Sequence, residues 1–166
     1  MNYSSYNLNM RKTKYWEPEI VHVWFKEGTT YDTLYNDGIV RRYDVLKSSR
    51  EYPIFNELKD RNLFLKGKAD LYGIVWNQRI DISGWASYDY GEDVTNEYSD
   101  LEPYLVGHKL KWTRINHNVS QEELTKLTNI DQATISKIEN GSMNLSIKTI
   151  MKIVKALNAK IELTIK

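Results

Sequence analysis

Apolar residues fall in short alternating or continuous runs through the first two thirds of the chain and recur every three or four residues in the last third. Two kinds of structure are therefore predicted. Ile20 to Phe25 and Thr30 to Leu34 read as strands, and Asn36-Asp37-Gly38 is a hairpin turn before Ile39 to Tyr43. Val45 to Leu58 is expected to be partly helical, because Pro53 suits a first helical turn and the segment after it carries Phe55 and Leu58 inward. Phe64 to Lys68, Leu71 to Trp76 and Arg79 to Ile82 read as further strands, with Asn77-Gln78 as a tight connection. The pattern over residues 18–87 is α+β: small antiparallel sheets plus a helix.

The last third reads differently. Ser120-Gln121-Glu122-Glu123 is a capping box, in which the Ser side chain accepts the Glu123 amide while the Glu reaches back. The helix it starts carries Leu124 and Leu127 as an apolar stripe and ends at Asn129, one of the few non-glycine residues that tolerate left-handed backbone. Asp131 then caps a second helix, Gln132 to Asn140, with Ile135 and Ile138 facing inward and Gln132, Ala133, Ser136 and Lys137 facing out. That outer face suits the DNA major groove: Gln pairs with adenine, Lys reaches guanine or phosphate, and an Ala methyl meets the thymine methyl. After a stop at Gly141 and a loop from Ser142 to Leu145, Ser146 to Leu157 carries Ile147, Ile150, Met151, Val154 and Leu157 with helical period. Lys160 to Lys166 alternates as a half-buried strand does, and its partner is either a two-fold copy or a strand elsewhere in the chain.

These residues, down to the Ile138-Glu139-Asn140-Gly141 ending, resemble the Xre and phage-repressor family of helix-turn-helix proteins over about Tyr104 to Leu157. The resemblance implies an all-α, five-helix, lambda-repressor-like DNA-binding domain within residues 104–166, here followed by the C-terminal β-strand. It makes Gln132, Ala133, Thr134, Ser136 and Lys137 the base-reading surface, with Gln121 and Asn140 on phosphate. Arg114 and Glu139 stand where the family often has a buried ion pair, Thr125 where it usually has a small Ala, and Asn129 where a turn Gly is commoner. It also implies a homodimer on a two-fold site in double-stranded DNA.

The Pro18-Glu-Ile-Val-His-Val23 run, the hairpin from Asn36 to Asp44, Ile54-Phe-Asn-Glu-Leu58 and the run from Gly73 to Ile82 resemble domain of unknown function 2442, over about Pro18 to Tyr90. Members of that family occur alone, beside other small proteins or fused to a helix-turn-helix, and some look like parts of toxin and antitoxin pairs. The resemblance names no reaction. It implies a protein-contact or sensing module, with a small toxin as one possible partner.

Charge sharpens the division. The net charge is only +1, but residues 104–166 hold ten Lys/Arg against five Asp/Glu, and residues 1–103 hold thirteen against seventeen. A polyanion is therefore expected to meet the C-terminal part alone. Tyr88 to Pro103 contains six acidic residues and no Lys or Arg, so residues 88–103 are expected to be a solvated acidic linker. A sharper alternative folds this strip over the basic DNA face. Residues 1–17 are expected to be a flexible tail, without the apolar core of a signal peptide.

The absence of Cys excludes disulfides and thiolate ligands, and no apolar run approaches membrane-spanning length, so a cytoplasmic protein is expected. His22, His108 and His117 are scattered and no catalytic motif is present, so neither an enzyme, a cofactor nor a metal is expected. His22, between Val21 and Val23, reads as a strand surface residue, and Asp81 as a structural Asp at a strand end. The reading is a sequence-specific transcriptional regulator, most simply a dimeric repressor. An antitoxin that masks a toxin, and an adaptor that has lost DNA binding, are the alternatives.

Overall fold

The computed structural model describes residues 18–70 and 72–162. The chain opens with an antiparallel meander of β1 (Ile20–Phe25), β2 (Thr30–Tyr35) and β3 (Val40–Asp44). Gly38, at φ 86°, closes the second hairpin where a side chain would be strained. Two 3₁₀ segments follow, Val45–Arg50 and Pro53–Lys59, with Pro53 in the first turn of the second. Next come a short helix α1 (Arg61–Phe64) and a three-stranded antiparallel sheet of β4 (Lys68–Ala69), β5 (Gly73–Asn77) and β6 (Ile80–Ser83). Helix α2 (Gly84–Tyr90) leads into β7 (Glu92–Asp93), which pairs with β3 as the fourth strand of the first sheet.

The meander is buried on both faces. Tyr31 and Tyr35 point into a core with Phe55, Leu58, Phe64 and Trp76, so Phe55 and Leu58 face inward as their spacing requires. The other face carries Leu34, Val40 and Trp24, covered by Val94, Tyr98, Leu101, Tyr104 and Leu105 from later in the chain. Asp32 is buried within β2 as well, where Arg42 and Tyr98 donate to its carboxylate, so the strand does not follow a strict alternation of buried apolar and exposed polar residues.

Two expectations need correction in this half, and one helix had none. Phe64 to Lys68 is no strand: Asp60 caps the turn that ends at Phe64, whose ring lies 6.0 Å from Trp76, and pairing begins only at Lys68. Residues 84–90 form a helix, which the weak helix formers Gly84, Trp85, Ser87 and Tyr88 conceal; Ser83 accepts the Trp85 amide at its start. The acidic strip from Tyr88 to Pro103 is a packed strap. Val94 is buried, Arg41 and Arg42 pair with Asp93 and Glu97, and Tyr98 donates to Asp32. Like charges in sequence mark a solvated linker only when no opposite charge lies across from them in the fold. The strap covers the meander, so the alternative in which it covers the DNA face is also corrected.

The helical part comprises α3 (Glu102–Asn116), α4 (Gln121–Thr128), α5 (Gln132–Glu139) and α6 (Ile147–Ala156) around Leu110, Leu124, Ile135, Ile138, Ile153, Val154 and Leu157. Among the described residues this domain has four helices where five are expected. Lys160 to Glu162 make no strand, and the rest of the expected C-terminal strand, like the expected N-terminal tail, lies outside the described residues. Among the described residues no helix is long and apolar enough to cross a membrane.

Candidate nucleic-acid interface

The two central helices begin and end where their capping residues dictate. Ser120 Oγ accepts the Glu123 amide at 3.1 Å and Glu123 Oε2 accepts the Ser120 amide at 2.7 Å, completing the capping box. These bonds hold the Glu123 carboxyl below the usual carboxylate range. Asn129 takes the left-handed conformation, φ 51° and ψ 36°, and turns the chain into Asp131, which accepts the Thr134 amide at 2.9 Å.

With its ends fixed, α5 buries Ile135, Ile138 and Glu139 and leaves Gln132, Ala133 and Lys137 exposed; Thr134 and Ser136 are partly covered. The expected reading face is therefore one contiguous outer surface, although the Thr134 hydroxyl is committed to the Asp131 carboxylate at 2.7 Å. Asn140 is exposed at the end of the helix, its amide nitrogen 3.5 Å from Ser136 Oγ. Arg114, on α3, donates from Nε and Nη2 to the two oxygens of Glu139 at 2.6 and 2.9 Å and from Nη1 to the Val119 carbonyl. These hydrogen bonds to the Glu139 carboxylate keep the guanidinium protonated even more firmly than usual.

Gln121, expected on phosphate, stands beside the ion pair. Its side-chain nitrogen donates to Glu139 Oε2 at 2.8 Å, so the amide completes the ion pair's hydrogen bonding. Leu127 points to solvent because Leu124 and Thr128, four apart, form the inward face of α4. Ile147 and Met151 are likewise 78% and 51% exposed, while α6 buries Ile153 and Val154, and Leu157 is buried just after it. His117 ends α3 with its ring Nδ1 2.7 Å from the Thr113 carbonyl oxygen. Asp81 is exposed on β6, away from the buried Trp76 ring whose N–H donates to the Phe64 carbonyl at 2.8 Å.

A helix-turn-helix family model, HTH_3, matches residues 110–163. An uncharacterised helix-turn-helix-type transcriptional regulator of Methanocaldococcus jannaschii is 42% identical over 55 residues, which are 33% of this chain and 83% of that protein. The chain belongs to the HTH_3 helix-turn-helix family. A second uncharacterised regulator of this type, from Archaeoglobus fulgidus, is 41% identical over 54 residues, 32% of this chain and 76% of that protein. The restriction-modification controller protein C.AhdI of Aeromonas hydrophila shares 32% identity, covering 38% of this chain and 92% of its own, with a TM-score of 0.34.

Within this helix-turn-helix, two supports are invisible in the capping pattern. Gly107 lets α3 approach α5 so closely that a Cβ there would overlap the Ile138 carbonyl oxygen. Gly141 sits at φ 68° with the Tyr104 ring against its backbone. A Gly inside α3 was the one available signal for the first. The Thr125 hydroxyl, where a small Ala is commoner, returns to the Gln121 carbonyl and fits without opening the pair.

Proposed function

We propose that this chain is a sequence-specific, double-stranded DNA-binding transcriptional regulator that reads the major groove with α5. The observation that carries this reading is the capped, solvent-facing surface of Gln132, Ala133 and Lys137, anchored from behind by Arg114 and Glu139. Two relatives named as transcriptional regulators, matched over 55 and 54 residues of this chain, support it.

The regulator acts as a cytoplasmic homodimer and represses by occupying a two-fold site, its recognition helices centred about 34 Å apart on one face of the duplex. The exposed Ile147 and Met151, one turn apart on α6, support a contact with a second copy. The N-terminal module, of the domain of unknown function 2442 type, contacts a protein or senses a signal. A second reading, an antitoxin whose N-terminal module masks a small toxin, is favoured by exposed Tyr52, Tyr72 and Tyr90 on that module. An adaptor without DNA binding is the weaker alternative, motivated by Lys137 being the only basic residue of α5.

Selection from random duplex DNA by the full-length chain tests the proposal. Enrichment of a two-fold motif, bound with a steep salt dependence, is expected. No enrichment at low salt from folded protein would move the weight to the adaptor.

A further inference from the structure

Helix α3 belongs to both halves of the molecule. Tyr104, Leu105 and His108 meet the N-terminal module, and Gly107, Leu110 and Arg114 meet the helical core. These groups interleave along one uninterrupted helix, so no flexible joint separates the two parts. A second tie crosses at His108, whose Nε2 lies 3.2 Å from Glu19 Oε2.

Tyr104 is the residue that touches both sides. Its ring centroid lies 4.6 Å from that of His22 and 5.5 Å from that of Trp24, both on β1. Behind it is Gly141, where an added Cβ would fall 2.5 Å from Tyr104 Cα and 2.6 Å from Cδ1. Gly141 donates to the Ile138 carbonyl at 3.1 Å and Ser142 to the Lys137 carbonyl at 2.9 Å, so the backbone against the ring closes the end of the reading helix. Trp24 is itself pinned by Tyr98 at 4.6 Å, and Tyr98 by its bond to Asp32. Close-packed contacts of this kind transmit displacement because they leave no void to absorb it.

We infer that Tyr104 is a positioning residue through which the His22 and Trp24 face of the N-terminal sheet sets the pose of the α5 terminus, and thereby tunes DNA reading. The second half of this inference rests on the DNA-binding reading above. His22 is therefore a coupling residue and not the strand surface residue its neighbours in sequence suggest.

Hydrogen exchange on the full chain without DNA tests the first half. His22→Ala and Trp24→Leu are expected to speed exchange of the Gly141 and Ser142 amides roughly fivefold, within the range of couplings carried by packed side chains. Tyr104→Phe, which keeps the ring, is expected to leave these amides unchanged. Phe55→Leu, a loss in the other core, is also expected to leave them unchanged. Unchanged exchange in His22→Ala and Trp24→Leu, or an equal rise in Phe55→Leu, would overturn the positioning role. In a second arm the same variants bind the duplex selected by the wild-type chain. A roughly fivefold loss of affinity with an unaltered salt slope is expected, because the phosphate contacts are the same in number. Altered exchange with unaltered affinity would overturn the tuning of DNA reading. If the wild-type chain selects no duplex, the DNA-binding reading fails, and the exchange arm still decides the positioning role.

Discussion

Arg114 and Glu139, twenty-five residues apart, form a two-pronged ion pair buried between α3 and the end of α5. Its geometry satisfies both carboxylate oxygens, and Gln121 supplies a further donor. Removing one partner leaves the other charge buried. Arg114→Ala and Glu139→Ala are each expected to cost about 3–5 kcal/mol in urea unfolding. The double variant Arg114→Met/Glu139→Leu is expected to recover most of that loss. Single variants as stable as wild type would show that water reaches the pair.

Gly28 and Gly141 share a left-handed backbone, φ 62° and 68°, but only Gly141 has a side chain pressed against it. Gly28→Ala therefore carries the backbone cost alone, about 1 kcal/mol. Gly141→Ala carries that cost plus the displacement of Tyr104, and is expected to lose roughly 1–3 kcal/mol more. Equal melting temperatures for the two variants would show that Tyr104 yields freely.

Two histidines lie between the halves, and burial lowers the pKa of both below the ordinary 6.5. His22 is packed among aromatic rings. At His108 the hydrogen bond to Glu19 opposes burial, while Lys109 and Lys111 add to its effect. The unfolded chain thus binds more protons near and below that value. The stability these neutral rings provide is complete above about pH 6.5 and declines as the pH falls toward the folded pKa values. Urea midpoints at about pH 7.5 and pH 5.5 are expected to fall with acidification, and less so in His22→Gln/His108→Gln. The same slope in that double variant would place the proton uptake elsewhere.

The start of α4, the left-handed Asn129, the Asp131 cap and the buried Ile135 and Ile138 were legible because each is a local rule with its partner within four residues. The Arg114–Glu139 pair was legible only through family resemblance. Leu127, Ile147 and Met151 were misplaced for a different reason: periodicity finds an amphipathic helix but not its rotation about its axis. The acidic strap was misread because its partners, Arg41, Arg42 and Asp32, are about fifty or more residues away. In the same way, nothing near His22 in sequence announces Tyr104.

Ile147 and Met151 give the proposed dimer a testable surface. Ile147→Asp/Met151→Asp is expected to leave the fold intact, since both side chains are exposed, and to abolish self-association in sedimentation. An unaltered dimer would place the contact elsewhere in the chain.

The most direct measurement is a parallel selection from random duplex DNA by the full-length chain and by Gln132→Ala. A two-fold motif is expected for the wild type, with preference lost at one position of each half-site in the variant, at a cost of about 1–3 kcal/mol there. Identical motifs from the two proteins would contradict base reading by α5.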